Sequence, residues 1–493
     1  MRLAFPAACA VAACICAVLL TVRMFLGPFG GPVPIHSPLN LEGIFALLVL
    51  LTAALRSRKT PIELRGYWPG WVSLAVIAIL ILGAFGRNLS FPLLADDYPH
   101  IWNARHITWN SALAHFTQPE PDRFFRPLVY WAYGLEAPFA GLNPAIWRSI
   151  SLMWHVAASL LVYGVLRAIH AERLGAFAGA ALFAVHGARP EAVFWVAARF
   201  DLMAATFGLL ALWLLLKWRT NWSLAALIPA LLCKESAFVF PLLALLFVMV
   251  ENRSWTNAAK RLWGWFAAAA VVFAWRLHVL GEIGGYHNTA DGRPTIFNLR
   301  LSTTLKGFFV RAWAALMVPL NWTDSPDIAI SLLGFGALLT LVWFAWRGGN
   351  RKLILTGLAV FLIAALPVHQ FLSIGDDLEK SRVLYLPSLG FAMVLAGLTR
   401  GPLAVNLLGI FLAFHLAALD HNLAIWQRTG ILARQTCQQA ESPQGYATVP
   451  DMPNVVDGVY FLKTGYPHCA WLDGKTTPAP QTLHWDDKTR RLR

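Results

Sequence analysis

Long uncharged apolar runs recur from the first residues to about residue 420, and they constrain the fold more than any single motif does. A helix of about 20 apolar residues matches the thickness of a bilayer's hydrocarbon core, and there the backbone must satisfy its own polar groups. With 57% hydrophobic and 13% charged residues and a mean hydropathy of +0.55, the chain reads as an all-α polytopic membrane protein. Lys+Arg 40 against Asp+Glu 26 gives a net charge of +14. In such a protein basic residues gather in cytoplasmic loops and set orientation, so the excess speaks of topology and no nucleic-acid partner is expected.

Charge placement orders the runs. Met1-Arg2 and the apolar residues to about 26 read as an uncleaved span, because Arg23 and Met24 stand where a signal peptide would carry small residues. Glu42 to Leu55 forms a short second span, after which Arg56, Arg58, Lys59 and Arg65 make a cytoplasmic loop. The third span, about 69–86, therefore delivers Asp96 and Asp97 to the outer face. Spans at about 146–166, 174–186, 192–216, 222–232, 236–250 and 262–280 keep Arg167, Arg173, Lys217, Arg219, Arg253, Lys260 and Arg261 on the cytoplasmic side. Gly281, Gly284, Gly285, Gly292 and Pro294 then mark an outer loop. Segment 301–320 is expected to be re-entrant or interfacial, since a full crossing would expose Arg347, Arg351 and Lys352 on the wrong face.

Runs near 328–346, 353–371, 383–399 and 402–419 bring the expected total to about thirteen spans, amino terminus in and carboxyl terminus out. Two regions follow: a transmembrane region 1–419 with a large outer loop at about 87–145, and a small non-cytoplasmic module at 420–493. That tail lacks a helical apolar period, and Val455, Val456, Val459, Tyr460 and Phe461 predict strands and turns. Cys437 and Cys469 lie in it and can bridge if it faces an oxidising compartment, whereas Cys9, Cys14, Cys16 and Cys233 read as small core residues.

Ionisable residues in or beside spans are costly to keep and mark candidate chemistry. Asp96-Asp97 places two adjacent carboxylates just beyond an apolar run, suited to activating an acceptor hydroxyl and equally to a solvated loop or helix cap. Lys234, Arg199, Arg189 and Arg382 are cations on the same expected face, able to steady a phosphate as charge develops on it. His186, Glu191, Arg199 and Asp201 read either as site residues or as an ion-pair network between helices. If 190–201 is one helix, Glu191 and Arg199 stand about 80° apart around it and about 12 Å along it. Trp195 reads as an aromatic wall for a sugar or as an interfacial anchor, with anchoring favoured. Lys234-Glu235 interrupts two short apolar runs, which suits presenting polar groups to a cavity or a short loop with a snorkelling lysine. His186 has no second ligand at metal spacing, so no metal ligands are assigned and a divalent metal stays open.

Taken in order, Asp96-Asp97, Phe125-Arg126-Pro127-Leu128, Trp154-His155, Leu182-Phe183-Ala184-Val185-His186, Pro190-Glu191-Ala192-Val193, Arg199-Phe200-Asp201-Leu202, Lys234-Glu235 and Arg382-Val383-Leu384-Tyr385-Leu386-Pro387-Ser388 resemble GT-C glycosyltransferases. The likeness is to transmembrane O-mannosyltransferases of the tetratricopeptide-repeat type and their bacterial relatives, over residues 90–400. It implies a GT-C-like helical bundle, a polyprenyl-phosphate-linked sugar as membrane donor, and transfer with inversion to an unknown hydroxyl acceptor on the non-cytoplasmic face. Carried over residue by residue, it makes Asp96 the base with Asp97 as a second catalytic acid positioning the acceptor or donor, and Lys234, Arg199 and Arg382 contacts of the donor phosphate. His186, Glu191, Asp201, Arg126 and Glu235 then shape the site. The chain departs from the family in lacking a tetratricopeptide array after the last span and in carrying two extra spans before the acidic loop. A transporter or flippase of lipid-linked saccharides is the competing reading, which would call for paired halves with matching broken helices. Ala-, Arg- and Trp-rich usage suggests a bacterial inner membrane with the active site facing the periplasm.

Overall fold

The computed structural model describes residues 4–26, 38–57, 69–119, 123–252, 254–287, 294–297, 300–399 and 403–493. Met1-Arg2, Arg58, Lys59, Arg65, Arg253 and Gly292 lie outside them. Among the described residues, nine helices are long and apolar enough to cross a membrane, from Ala4–Leu26 to Leu403–Gln439. Arg173–Val185, Thr220–Cys233 and Ser388–Leu398 are apolar but shorter. At about 1.5 Å per residue these three fall short of a 30 Å hydrocarbon core, so the expected count of about thirteen spans merges two kinds of element.

The short helices sit at the centre. A Cβ on Gly175 or Gly179 would strike the Ala396 or Ala392 carbonyl, so bare backbone is what lets Arg173–Val185 lie against Ser388–Leu398. Helix starts are fixed by side-chain caps: Asp327 accepts from the Ile330 amide at 2.8 Å and Asn350 from Leu353 at 3.3 Å.

The two ends of the bundle differ in chemistry. At one end Arg56 donates to the Trp346 carbonyl at 2.9 Å, Arg261 donates to Leu215, and Arg167 to Ala171. At the other end the acidic loop, the turn at 186–198, the Lys234 break, the 281–287 loop and the 366–384 loop converge beneath the carboxyl-terminal module. Residues 301–317 form one helix with a π-helical stretch at Gly307–Arg311. Ser302 at its start and Trp322 beyond its end line the same cavity, so both flanks of the segment lie at this loop end.

Leu403–Gln439 continues twenty residues past the expected end of the last span. Its buried positions Asn422, Trp426, Thr429, Ala433 and Thr436 recur every three or four residues, a helical period that the many polar residues of this stretch obscure in the sequence. Short strands follow. Val455–Val456 pairs with Val459–Tyr460 across Asp457-Gly458, whose φ angles of 51° and 77° suit a type I′ hairpin turn. Gly458 lies so close to Asp377 that a Cβ would collide with the Asp377 carbonyl. The Cys437–Cys469 disulfide ties the long helix to the module.

Candidate active site

Arg148 builds the floor of the acidic loop. It is 1% exposed, and its guanidinium donates to the carbonyls of Leu89, Phe91, Pro92 and Phe194, so it brackets the loop against the 190–198 turn. Above it Ala95 takes a positive φ of 41°, a conformation that costs a non-glycine residue about 1 kcal/mol or more. The Ala95 amide donates to the Phe461 carbonyl of the module at 2.7 Å, which helps hold it there.

The two carboxylates then part. Asp97 is fully buried and accepts from the Leu94 amide at 3.2 Å and the Ala197 amide at 3.0 Å. Burial pushes its carboxyl up to about 7, against the pull of Arg148 and the two amides. Expected to position the acceptor or donor, Asp97 instead clamps the loop and stands off the cavity. Asp96 is partly exposed on the wall of a cavity of about 800 Å³, a volume suited to a small-molecule substrate.

The same cavity is lined by Arg126, Asp201, Lys234, Glu235 and Arg382. Lys234 sits in an extended break with φ −161° between Thr220–Cys233 and Glu235–Val239, and its ammonium is 2.6 Å from both Asp201 oxygens. Burial lowers its proton affinity from the usual lysine range even beside Asp201. Arg126 forks onto Glu235 at 3.1 and 2.6 Å. Burial alone would raise the Glu235 carboxyl, but the Arg126 guanidinium overrides it and holds it at about 2. Arg382 pairs with Glu191, which also accepts from the Ser381 hydroxyl at 3.2 Å. Glu191 keeps Arg382 protonated well beyond the ordinary arginine range despite burial.

Three expected residues stand elsewhere. Arg199 is wholly enclosed, paired with Glu136 and bonded to the Trp147 carbonyl at 2.6 Å and the Ser151 hydroxyl at 3.2 Å, so it braces helices where a phosphate contact was expected. His186 is 1% exposed. It accepts from the Ala188 amide at 3.2 Å, which leaves Nε2 to donate to the Leu316 carbonyl at 2.8 Å; it pins the 301–317 helix to the 186–190 turn and is off the cavity. Arg189 is likewise buried, on Phe183 and Ser388.

Residues 190–201 are not one helix. Pro190–Val193 is a short turn, Trp195 is extended at ψ 111°, and a new helix starts at Arg199. The break swings Trp195 onto the cavity wall, 4% exposed and stacked on Tyr460 at 4.6 Å, with the Arg382 guanidinium 4.7 Å from its ring. It is an aromatic wall and not an interfacial anchor. Arg276, Tyr286 and Thr464 also line the cavity and escaped the sequence reading. Arg276 had a signal, a lone cation near the end of an apolar run; Thr464 had none, because the module docks through tertiary contacts. Among the described residues no three His, Cys, Asp or Glu side chains gather as a metal site.

The fold and cavity define a polytopic, mainly α-helical membrane protein with a polar cleft where its loops gather. The chain is similar to Protein O-mannosyl-transferase Tmtc1 of Drosophila melanogaster, 35% identical over 126 residues, which is 24% of this chain and 15% of that protein. It is also similar to Protein O-mannosyl-transferase TMTC4 of Homo sapiens, 24% identical over 412 residues, 66% of this chain and 55% of that protein. The resemblance drawn from the ordered motifs is thus to proteins that the chain matches along part of their length, about half in the longer case. No protein-family model matches. ArnT from Cupriavidus metallidurans in the apo state has a TM-score of 0.37 at 16% identity, over 85% of this chain and 93% of that one.

Proposed function

We propose that this protein is a membrane glycosyltransferase that moves a sugar from a polyprenyl-phosphate donor to an acceptor hydroxyl at the non-cytoplasmic face. The observation that carries the reading is the cavity itself. On its wall Asp96 has no side-chain hydrogen bond among the described residues, while Lys234, Arg126 and Arg382 line the same space. One carboxylate is available to take a proton, and cations are available to take up negative charge.

In the proposed step the acceptor hydroxyl gives its proton to Asp96 and its oxygen attacks the anomeric carbon. The bond from that carbon to the phosphate oxygen breaks, the electron pair leaves with the phosphate, and attack from the opposite side inverts the configuration. Lys234 and Arg382 meet the departing charge, with charge-assisted hydrogen bonds that are stronger than neutral ones. Trp195 gives the sugar a flat apolar face, and Asp201, Glu235 and Glu191 fix the cations that touch the phosphate. Mannose transfer is a property in the names of the similar proteins, and the identity of the sugar here is part of what the test reads.

The test is reconstitution in proteoliposomes with labelled polyprenyl-phosphate sugars. Transfer of label to an acceptor, lost in Asp96→Asn while the variant inserts and unfolds like the parent, supports the assignment. Full activity in Asp96→Asn removes Asp96 as the base, and movement of intact donor across the bilayer without bond cleavage replaces transfer by transport.

A further inference from the structure

A second cavity, of about 790 Å³, opens at the same end of the bundle, and no role has been given to it. Arg23 comes from the last turn of Ala4–Leu26, Ser302, Thr303 and Lys306 from the start of the 301–317 helix, Arg311 from its π-helical stretch, and Asp376 from the 373–377 loop. Segment 366–377 separates it from the first cavity: Phe371 faces one and Ser373 the other.

Arg23 is 8% exposed, yet its Nε has no hydrogen-bond partner among the described residues. A buried charged donor left without an acceptor is expensive, and native structures supply one. The guanidinium already lies 5.3 Å from the Trp322 ring, whose indole donates to Glu42 behind it at 3.0 Å, outside the lining. The two carboxylates of the lining are engaged: Asp376 stands 3.8 Å from Arg311, and Asp377 accepts from the Glu379 amide at 3.1 Å. Three cations face these two carboxylates, an excess of one positive charge. The π-helical stretch, a geometry frequent at functional positions, is wedged where a Cβ on Gly43 would hit Val310.

We propose that this cavity binds a phosphate group, with Arg23, Lys306 and Arg311 as its cations and the Ser302 and Thr303 hydroxyls beside them. Beside the polar lining Leu26, Leu301, Leu305 and Phe309 are exposed, an apolar margin on which acyl chains attached to such a headgroup would lie. The inference is independent of glycosyl transfer.

The experiment is native mass spectrometry of the detergent-purified protein after incubation with phosphatidylglycerol, with the uncharged diacylglycerol of the same chains, or with inorganic phosphate. Phosphatidylglycerol is retained over diacylglycerol, and Arg23→Gln and Lys306→Glu each lower retention about tenfold or more, the size expected for one charge-assisted hydrogen bond. Lys306 is exposed, so its variant reads out binding even where Arg23→Gln fails to fold. Asp96→Asn retains the lipid as the parent does, which keeps this test separate from that of the transfer reaction. Binding of inorganic phosphate with the same variant sensitivity and no lipid retention makes the ligand a free anion. Equal retention of both lipids, or none of the three bound, overturns the proposal.

Discussion

Arg148 and Arg199 under the loops at the cavity end, and Arg126, Lys234 and Arg382 on the cavity wall, are cations within one connected region that do different work. The first two spend their donors on backbone carbonyls, a serine and a glutamate, with no face toward the cavity. The other three are paired on one side and open on the other. A cation whose partners are all protein holds chain segments in place; one held by a single carboxylate at a cavity keeps directed positive charge for a ligand. Asp97 and Asp96 repeat the contrast one residue apart.

The largest effect that sharpens this contrast is on catalysis. On the proposed mechanism Asp96→Asn lowers turnover about 10²–10⁴-fold, the span typical of general acid–base catalysis, with an unchanged melting profile. Activity near the parent's would erase the distinction between the two acids. Next comes the bracket: Glu136→Gln leaves the Arg199 charge buried and unpaired, at a cost of about 3–5 kcal/mol. Denaturation in detergent reads this as lost stability, with the residual folded fraction as active as the parent.

Cys437→Ser follows. The bridge closes a separation of 32 residues, worth about 3–4 kcal/mol on the chain-entropy account. Protease sensitivity of the module should rise, and the Ala95–Phe461 bond that orders the acidic loop should weaken with it. Lys234→Met is expected to raise the donor KM about 10–100-fold, as loss of one charge-assisted bond predicts; a pure loss of stability would instead move Lys234 into the bracket group.

The last effect is in pH. The Asp97 carboxyl is raised by burial to about 7 in the folded state, against about 3.9 when unfolded. Below pH 4 both states carry the proton and the contribution to stability is fully present. Between about pH 4 and 7 the unfolded state has lost its proton while the folded state keeps it, so stability falls as pH rises through that window. Asp97→Asn flattens this segment of the melting-temperature profile; an unchanged slope would mean another group titrates there.

Much of this was legible in the sequence for a physical reason. The apolar runs and the basic loops follow from the cost of placing charge or open backbone in hydrocarbon, which acts locally on the chain. Asp96, Arg126, Asp201, Lys234, Glu235 and Arg382 were all named from their order, and all line one cavity. Asp97, Glu191, Arg199 and His186 were named on the same grounds and do not line it. Residue type shows that a group is costly to bury, not which partner offsets the cost. The break at Trp195 was hidden because its neighbours are uniformly apolar, so no change of period marks it.

By itself, then, the sequence determined a helical membrane bundle with polar loops gathered at one end, because hydrophobic burial and backbone satisfaction are decided residue by residue along each run. Only the tertiary structure decided that Asp96 faces a cavity while Asp97 turns into the core, that Trp195 and Tyr460 stack from residues 265 apart in the chain, and that Arg23 waits over a second cavity. Direction and distance between side chains depend on how segments far apart in sequence pack, and a hydrogen bond at 3 Å is decided by geometry that no local pattern records.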